Sequence, residues 1–165
     1  MNAQFEKILK EILGDRNVKG TNIPSIFLVK GNLISKISGK LNLKQHSLVD
    51  ELRRQHPYAY LWITSWNEGL LKKVQTSRWE QVSNNLWLIP REESTKKFLH
   101  QSYEGAWGLL FCDQPFSATI SLEYLPLKPV EIENFLNSSN AVVAIISWYD
   151  DTEWFIGSKT ESATQ

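Results

Sequence analysis

The sequence predicts one α/β domain in which a mixed β-sheet is covered by helices. The chain has 165 residues, the size of one ordinary domain. Apolar residues at helical spacing alternate with short apolar runs typical of strands, and we expect the early strands, which helices connect, to be parallel. Two later pairs of strand-like runs are each joined by three turn residues, which predicts antiparallel hairpins in the C-terminal half. The domain should span 1–158, followed by a flexible tail over 159–165.

The first third of the chain is predicted to be mostly helical. Its elements are, in order, a helix over 2–13, a polar loop over 15–23, a strand over 25–30 and two short helices within 32–55. Gly14 is a plausible end for the first helix. Pro57 ends the last one, because the residue before a proline avoids helical geometry.

The stretch from His56 to Trp66 predicts an interior strand over 58–65. Tyr58, Tyr60 and Trp62 occupy even positions and Ala59, Leu61 and Ile63 occupy odd positions, so both faces of the strand are apolar. Such a strand is usually central and covered on each side. It is followed by a predicted helix over 67–83, a strand over 86–90 and a polar helix over 91–101.

The C-terminal third predicts two hairpins separated by a helix. The first hairpin pairs 105–112 with 116–125, and the second pairs 141–150 with 153–158. Pro129 opens the intervening helix, over 129–137, as expected at a first helical turn.

The sequence offers no recognisable catalytic or metal-binding motif. His46, His56 and His100 are not spaced to put two ligands on one helix face, so we expect no metal and no cofactor. Cys112 has a strand-like setting in which cysteine mostly behaves as a small hydrophobic residue. A weaker hypothesis is an enzyme that uses His56 or His100 as a base. No segment looks like a membrane span or a secretory signal, and we therefore expect a cytoplasmic protein.

Seven tryptophans are many for a chain of this length, and they indicate a thick core, a binding surface, or both. Our candidate surface for a ligand or a protein partner comprises Trp62, Trp66, Asn67 and Trp107. Trp66 is of most interest, because it lies where a strand ends and a helix starts, and ligands in open α/β sheets prefer that end.

The helical pair within 32–55 supports an alternative, a helix-turn-helix regulator that binds DNA. Residues at the start of a recognition helix reach base edges, and arginines further on contact phosphates. The candidate contacts are Lys44, Gln45, Ser47, Arg53 and Arg54. Residues 1–56 hold ten Lys/Arg and five Asp/Glu, a balance of +5, which agrees with this alternative. The neutral whole chain makes nucleic acid a less favoured partner than protein.

Three segments within 58–124, YLWITSWNEGLLKK, SRWEQVSNNLWLIP and EGAWGLLFCDQPFSATISLE, resemble the DICT sensory domain of bacterial signalling proteins, frequent in cyanobacteria. The similarity lies in the order of the pieces, which are a strand that runs through an aromatic residue into a helix, a following helix and strand, and an acidic-Trp strand with the hairpin beyond it. Members of that family are fused to diguanylate cyclases, histidine kinases and DNA-binding modules. The resemblance implies a non-catalytic signalling module without an established cofactor. Our leading hypothesis is a sensory or adaptor domain that acts through a protein partner and can respond to a small ligand. It is motivated by the absence of a catalytic set of residues together with the high number of tryptophans.

Overall fold

The computed structural model describes residues 2–31, 33–38, 44–64, 67–91, 106–147 and 152–159. Within these ranges the α-helices are α1 (Asn2–Leu13), α2 (Ile34–Ser38), α3 (Leu48–Gln55), α4 (Glu68–Gln75) and α5 (Pro129–Asn137). The strands are β1 (Val18–Gly20), β2 (Ile26–Lys30), β3 (Tyr58–Ile63), β4 (Glu80–Ser83), β5 (Leu86–Leu88), β6 (Trp107–Cys112), β7 (Ala141–Ser147) and β8 (Glu153–Ser158).

The eight strands form one sheet in the order β1-β2-β8-β7-β6-β3-β5-β4. The predicted α/β class is confirmed, as is the C-terminal hairpin of β7 and β8. The expectation of parallel pairing among the early strands is wrong, because every described pair is antiparallel. β3 and β5 are antiparallel because the chain reverses at the turn of the β4–β5 hairpin. β8, β7 and β6 separate β2 from β3.

The sheet has a hydrophobic core on each face. Helices α1 to α4 cover the first face, where they bury Leu9, Ile37 and Leu52, among others. Helix α5 and the irregular segment 113–128 cover the second face, where they contribute Phe135 and Leu122. The period-two alternation of a strand sends successive residues to opposite cores.

Strand β3 is the interior strand that the aromatic stretch predicts. Ala59, Leu61 and Ile63 belong to the first core, and Tyr60 and Trp62 belong to the second. Its neighbours in the sheet are β6 and β5, and all of its residues after Tyr58 are buried.

Two predicted elements take a different form in the structure. The helix expected over 67–83 ends at Gln75, and 80–83 form strand β4, since Trp79 does not fit the helical stripe and instead enters the first core. The strand expected over 116–125 does not form beyond one isolated bridge at Ala118. Both edges of β6 are already taken by β3 and β7, so no place remains for a hairpin partner.

Other predictions are confirmed in part or concern residues outside those that the structure describes. The loop over 15–23 contains the short strand β1, and the helix over 129–137 has the expected bounds. The helix expected over 91–101 lies outside the described residues except for Arg91, and so does the tail except for Lys159.

Candidate functional site

Trp62, the first residue of the predicted aromatic surface, is sealed in the second core and is 1% exposed. Its ring lies 4.8 Å from the ring of Phe135 on α5, centroid to centroid. Its indole Nε1–H donates a 2.8 Å hydrogen bond to the carbonyl oxygen of Leu122. A buried tryptophan needs such an acceptor for its polar atom, and this one is supplied by the segment that covers the face.

Trp107 is equally buried, at 3% exposed, but in the first core. It pairs with Ile63 across β3 and β6, whereas Trp62 pairs with Gly108, so the two indoles lie on opposite faces of the sheet. The predicted surface that joins Trp62 to Trp107 is therefore not formed. Trp66, the third ring of that surface, lies outside the described residues.

Asn67, the polar member of the predicted surface, is a buried helix cap. Its side-chain oxygen accepts a hydrogen bond from the Leu70 N–H, and its amide nitrogen lies 3.4 Å from the Ala106 carbonyl oxygen. Asparagine is among the preferred residues at this position, because it satisfies a helix N–H that has no partner within the helix. The side chain thus fastens α4 to the start of β6.

Within its described residues, the predicted helix-turn-helix segment forms two short helices packed on the first face, where Ile34, Ile37, Leu48 and Leu52 are buried. The expectation that Ser47 reads bases is wrong, because its side chain is fully buried and caps α3. The Ser47 hydroxyl accepts from the Asp50 N–H at 3.1 Å, and the Asp50 carboxylate accepts from the Ser47 N–H at 2.9 Å.

The remaining predicted contacts to nucleic acid are scattered. Gln45 accepts a hydrogen bond from the Ser35 hydroxyl, and Arg53 is half-buried with Nη2 donating to the Pro90 carbonyl oxygen. Lys44 and Arg54 are exposed, and Arg54 pairs with Glu51. Because Ser47 is buried, the five side chains do not all belong to an exposed polar face of the kind that lies in a major groove.

We expect the Ser47→Ala substitution to lower the free energy of unfolding by about 1 kcal/mol, within a range of roughly 0.5–2 kcal/mol. The loss comes from removing the acceptor for the Asp50 N–H at the start of α3. Urea unfolding followed by circular dichroism measures it. The matched variant Ser47→Thr keeps the hydroxyl acceptor and should retain more of the stability. Equal stabilities for all three proteins would contradict the capping role.

His56 contacts Asp113, the residue that follows Cys112 at the end of β6. The His56 Nδ1 lies 2.7 Å from a carboxylate oxygen of Asp113, an arrangement that orients the imidazole. Burial raises the pKa of the Cys112 thiol to about 12, with the Asp113 charge as a further cause. The thiol stays protonated at neutral pH, so it packs as a small core residue and gives this pair no thiolate nucleophile.

A groove of about 820 Å³ lies at the β4 end of the sheet, and we call it the edge groove. Its walls are the β4–β5 hairpin on one side and residues 116–123 on the other, with the end of α4 closing it. Two apolar side chains face solvent there, Val82 at 41% and Ile120 at 40% exposed.

Hydrogen bonds from the sheet hold the second wall of the edge groove in place. The Phe116 N–H donates to the hydroxyl oxygen of Tyr60 at 2.9 Å. The Leu122 carbonyl accepts from the Trp62 indole and also from the side-chain amide of Asn85 at 3.1 Å. Trp62 thus supports a wall of the groove from within the core and does not line it.

Sequence reasoning missed the edge groove, although two signals for it are present. Trp79 breaks the helical stripe of 67–83, and Asn84-Asn85 is a turn-like pair directly before the strand Leu86–Leu88. Asn85 adopts a positive φ of 66°, which asparagine tolerates better than most residues. Together these signals indicate a hairpin where a helix was expected.

Comparisons of the chain with protein-family models, with curated proteins and with solved structures gave no match. None of the described helices combines the length and apolar character that crossing a membrane requires. Among the described residues, no three His, Cys, Asp or Glu side chains are grouped so that they could hold a metal ion.

Proposed function

We propose that this domain is a non-catalytic adaptor of bacterial signalling, which works in the cytoplasm by binding an extended segment of a protein partner along β4. The observation that carries the proposal is the position of β4 at the end of the sheet. All four of its residues are exposed, and β5 is its sole neighbour among the described strands. An exposed edge strand presents backbone groups to which another strand can add.

The edge groove gives an added strand more than backbone contacts. The groove has a volume of about 820 Å³, and the exposed side chains of Val82 and Ile120 offer apolar contacts in it. Most of the remaining lining residues are polar. Binding by strand addition draws its affinity from main-chain hydrogen bonds and its specificity from contacts with alternate side chains. The wall held by Tyr60, Trp62 and Asn85 is preformed, which reduces the ordering cost of binding.

A bulge in β4 favours a partner segment over self-association through this edge. Gln81 pairs with Trp87 and Ser83 with Leu86, so Val82 is an extra residue with no partner on β5. Bulges at sheet edges twist the strand and hinder indiscriminate edge-to-edge pairing. A flexible segment can follow such a twisted edge more easily than a second rigid sheet can.

The Val82→Pro substitution tests the proposal with peptides selected on the immobilised domain from a random display library. Proline removes one backbone N–H from β4 and is tolerated at edges and bulges. We expect it to weaken the binding of the selected peptides by up to about tenfold, the effect of losing one main-chain hydrogen bond. Fluorescence anisotropy with labelled peptides measures the affinities.

Val82→Ala is the matched control, because it shortens the side chain and keeps the backbone N–H. It should weaken binding less than Val82→Pro does, and circular dichroism should show both variants folded. Peptides that bind the three proteins equally well, or a library from which no sequence is enriched, would refute binding along β4.

A further inference from the structure

A second concavity, of about 410 Å³, lies between the end of α3 and Arg91, three residues after the end of β5. Its lining residues are Asp50, Arg53, Arg54, Pro57 and Arg91, and we call it the arginine groove. The lining side chains carry three positive charges and one negative charge, an excess of two. Glu51, which pairs with Arg54 from beside the groove, reduces that excess to one. The described residues at this groove thus carry an excess of positive charge, whereas the chain as a whole is neutral.

Among the described residues, the carboxylates beside the groove are engaged in the structure of α3. The Asp50 carboxylate accepts the Ser47 N–H in the capping box. The Glu51 carboxylate accepts hydrogen bonds from the Gln55 side chain, at 3.0 Å, and from Arg54. These two contacts lower the pKa of Glu51. Both carboxylates thus have structural roles within α3 and its cap.

The Arg53 guanidinium is held in place by a hydrogen bond, and its surroundings disfavour its positive charge. Its Nη2 donates to the Pro90 carbonyl oxygen at 2.7 Å, which fixes the planar group at the groove wall. Burial lowers the pKa of Arg53, the Asp50 charge raises it and the Arg91 charge lowers it again. Arginine remains charged in proteins, so a bound anion would offset both of the lowering causes.

We propose that the arginine groove binds the phosphate group of a small soluble molecule, with Arg53 and Arg91 as its donors. Guanidinium groups present paired N–H donors that match the oxygens of a phosphate. A volume of about 410 Å³ exceeds what one phosphate needs and falls in the range of small-molecule sites. The space beyond the phosphate accommodates the body of the ligand, and because aromatic side chains are absent from the described lining, that body should be polar.

The geometry favours a small ligand over a nucleic-acid backbone. The positive charge is gathered in one concavity at the end of α3, whereas a duplex requires contacts spaced along a strand of phosphates. Ser47, at the start of α3, is buried and cannot contribute to a contact with DNA. The site is also separate from the edge groove, since the two share no lining residue.

Titration with inorganic phosphate, followed by amide and arginine side-chain NMR signals, tests the assignment. Ionic strength is held constant with chloride, so that screening does not change during the titration. We expect saturable shifts at Arg53 and its neighbours, and an affinity about tenfold weaker in Arg91→Gln, because a charge-assisted donor is lost. Arg91 is exposed, so this variant should fold like the wild-type protein.

Arg16→Gln is the matched control, because it removes the same charge from an exposed site beside β1, at the opposite edge of the sheet. It should leave phosphate binding unchanged. Non-saturable shifts, or equal weakening in both variants, would overturn the site. Tighter binding to a short DNA duplex or to vesicles containing phosphatidic acid than to phosphate, lost in Arg91→Gln, would overturn the assignment to a small soluble ligand.

Discussion

Replacing Trp62 with alanine should lower the free energy of unfolding by about 3–5 kcal/mol, the usual cost of truncating a large buried aromatic residue. The substitution removes a fully buried ring that packs on Phe135, and it leaves a cavity under α5. Guanidinium unfolding followed by far-ultraviolet circular dichroism measures the change. A role for Trp62 in contacting a ligand directly would predict a nearly unchanged stability, and that result would contradict its placement in the core.

The indole N–H of Trp62 can be separated from its ring by a second pair of variants. Trp62→Phe keeps an aromatic ring and removes the indole N–H, while Asn85 still donates to the Leu122 carbonyl. Asn85→Gly removes that donor and suits the positive φ of the position. We expect the double variant to lose about 1 kcal/mol more than the sum of the single variants, because only then does the carbonyl lose both donors. Strict additivity would show that the two donors act independently.

The same variants connect the core to the proposed function. The Leu122 carbonyl belongs to the wall of the edge groove, and the Trp62 and Asn85 side chains anchor it to the sheet. A loosened wall must be ordered again when a partner binds, which costs affinity without removing any contact with the partner. A buried tryptophan can therefore matter for binding even though it is not on the surface that the sequence predicts.

Local patterns in the sequence were sufficient to predict those elements whose secondary structure does not depend on their neighbours in the fold. The double-sided apolar pattern of 58–63 predicts an interior strand in any sheet order, and Pro129 marks the start of α5 regardless of its packing. By contrast, the strand expected over 116–125 depends on whether β6 has a free edge. Whether an edge is free depends on the strand order of the sheet, and local patterns in the sequence do not reveal that order.

The candidate site was harder to predict because it depends on strand register. Trp62 and Trp107 both lie in apolar strands, and only the pairing of Ile63 with Trp107 shows that their rings point to opposite cores. A register shift of one residue would have put them on the same face. The edge groove likewise requires β4 to be the last strand, whereas the stretch that forms β4 was assigned to a helix.

Gly157→Ala should destabilise the protein by about 1–3 kcal/mol, the typical cost of adding a methyl group to a filled core. Gly157 faces the second core between β2 and α5, and a Cβ there would lie 2.5 Å from Ile26 Cδ1 and 3.3 Å from Ile132 Cγ2. The first of these distances is too short for two carbon atoms, so Ile26 must move. Because Ile26 lies on β2 and Ile132 on α5, this close approach fixes how the C-terminal helix packs across the junction of β2 and β8.

A double-mutant cycle with Ile26→Val assigns the cost of Gly157→Ala to that one contact. Valine lacks the Cδ1 methyl group and should by itself cost about 0.5–1.5 kcal/mol. The double variant should be more stable than the sum of the two losses predicts, since the new methyl group occupies the space that Cδ1 vacates. Gly108→Ala is the matched control, with its nearest contact at 3.1 Å to Ile146 Cδ1, and it should be additive with Ile26→Val. Additivity of Gly157→Ala with Ile26→Val, within about 0.5 kcal/mol, would mean that the strain lies elsewhere.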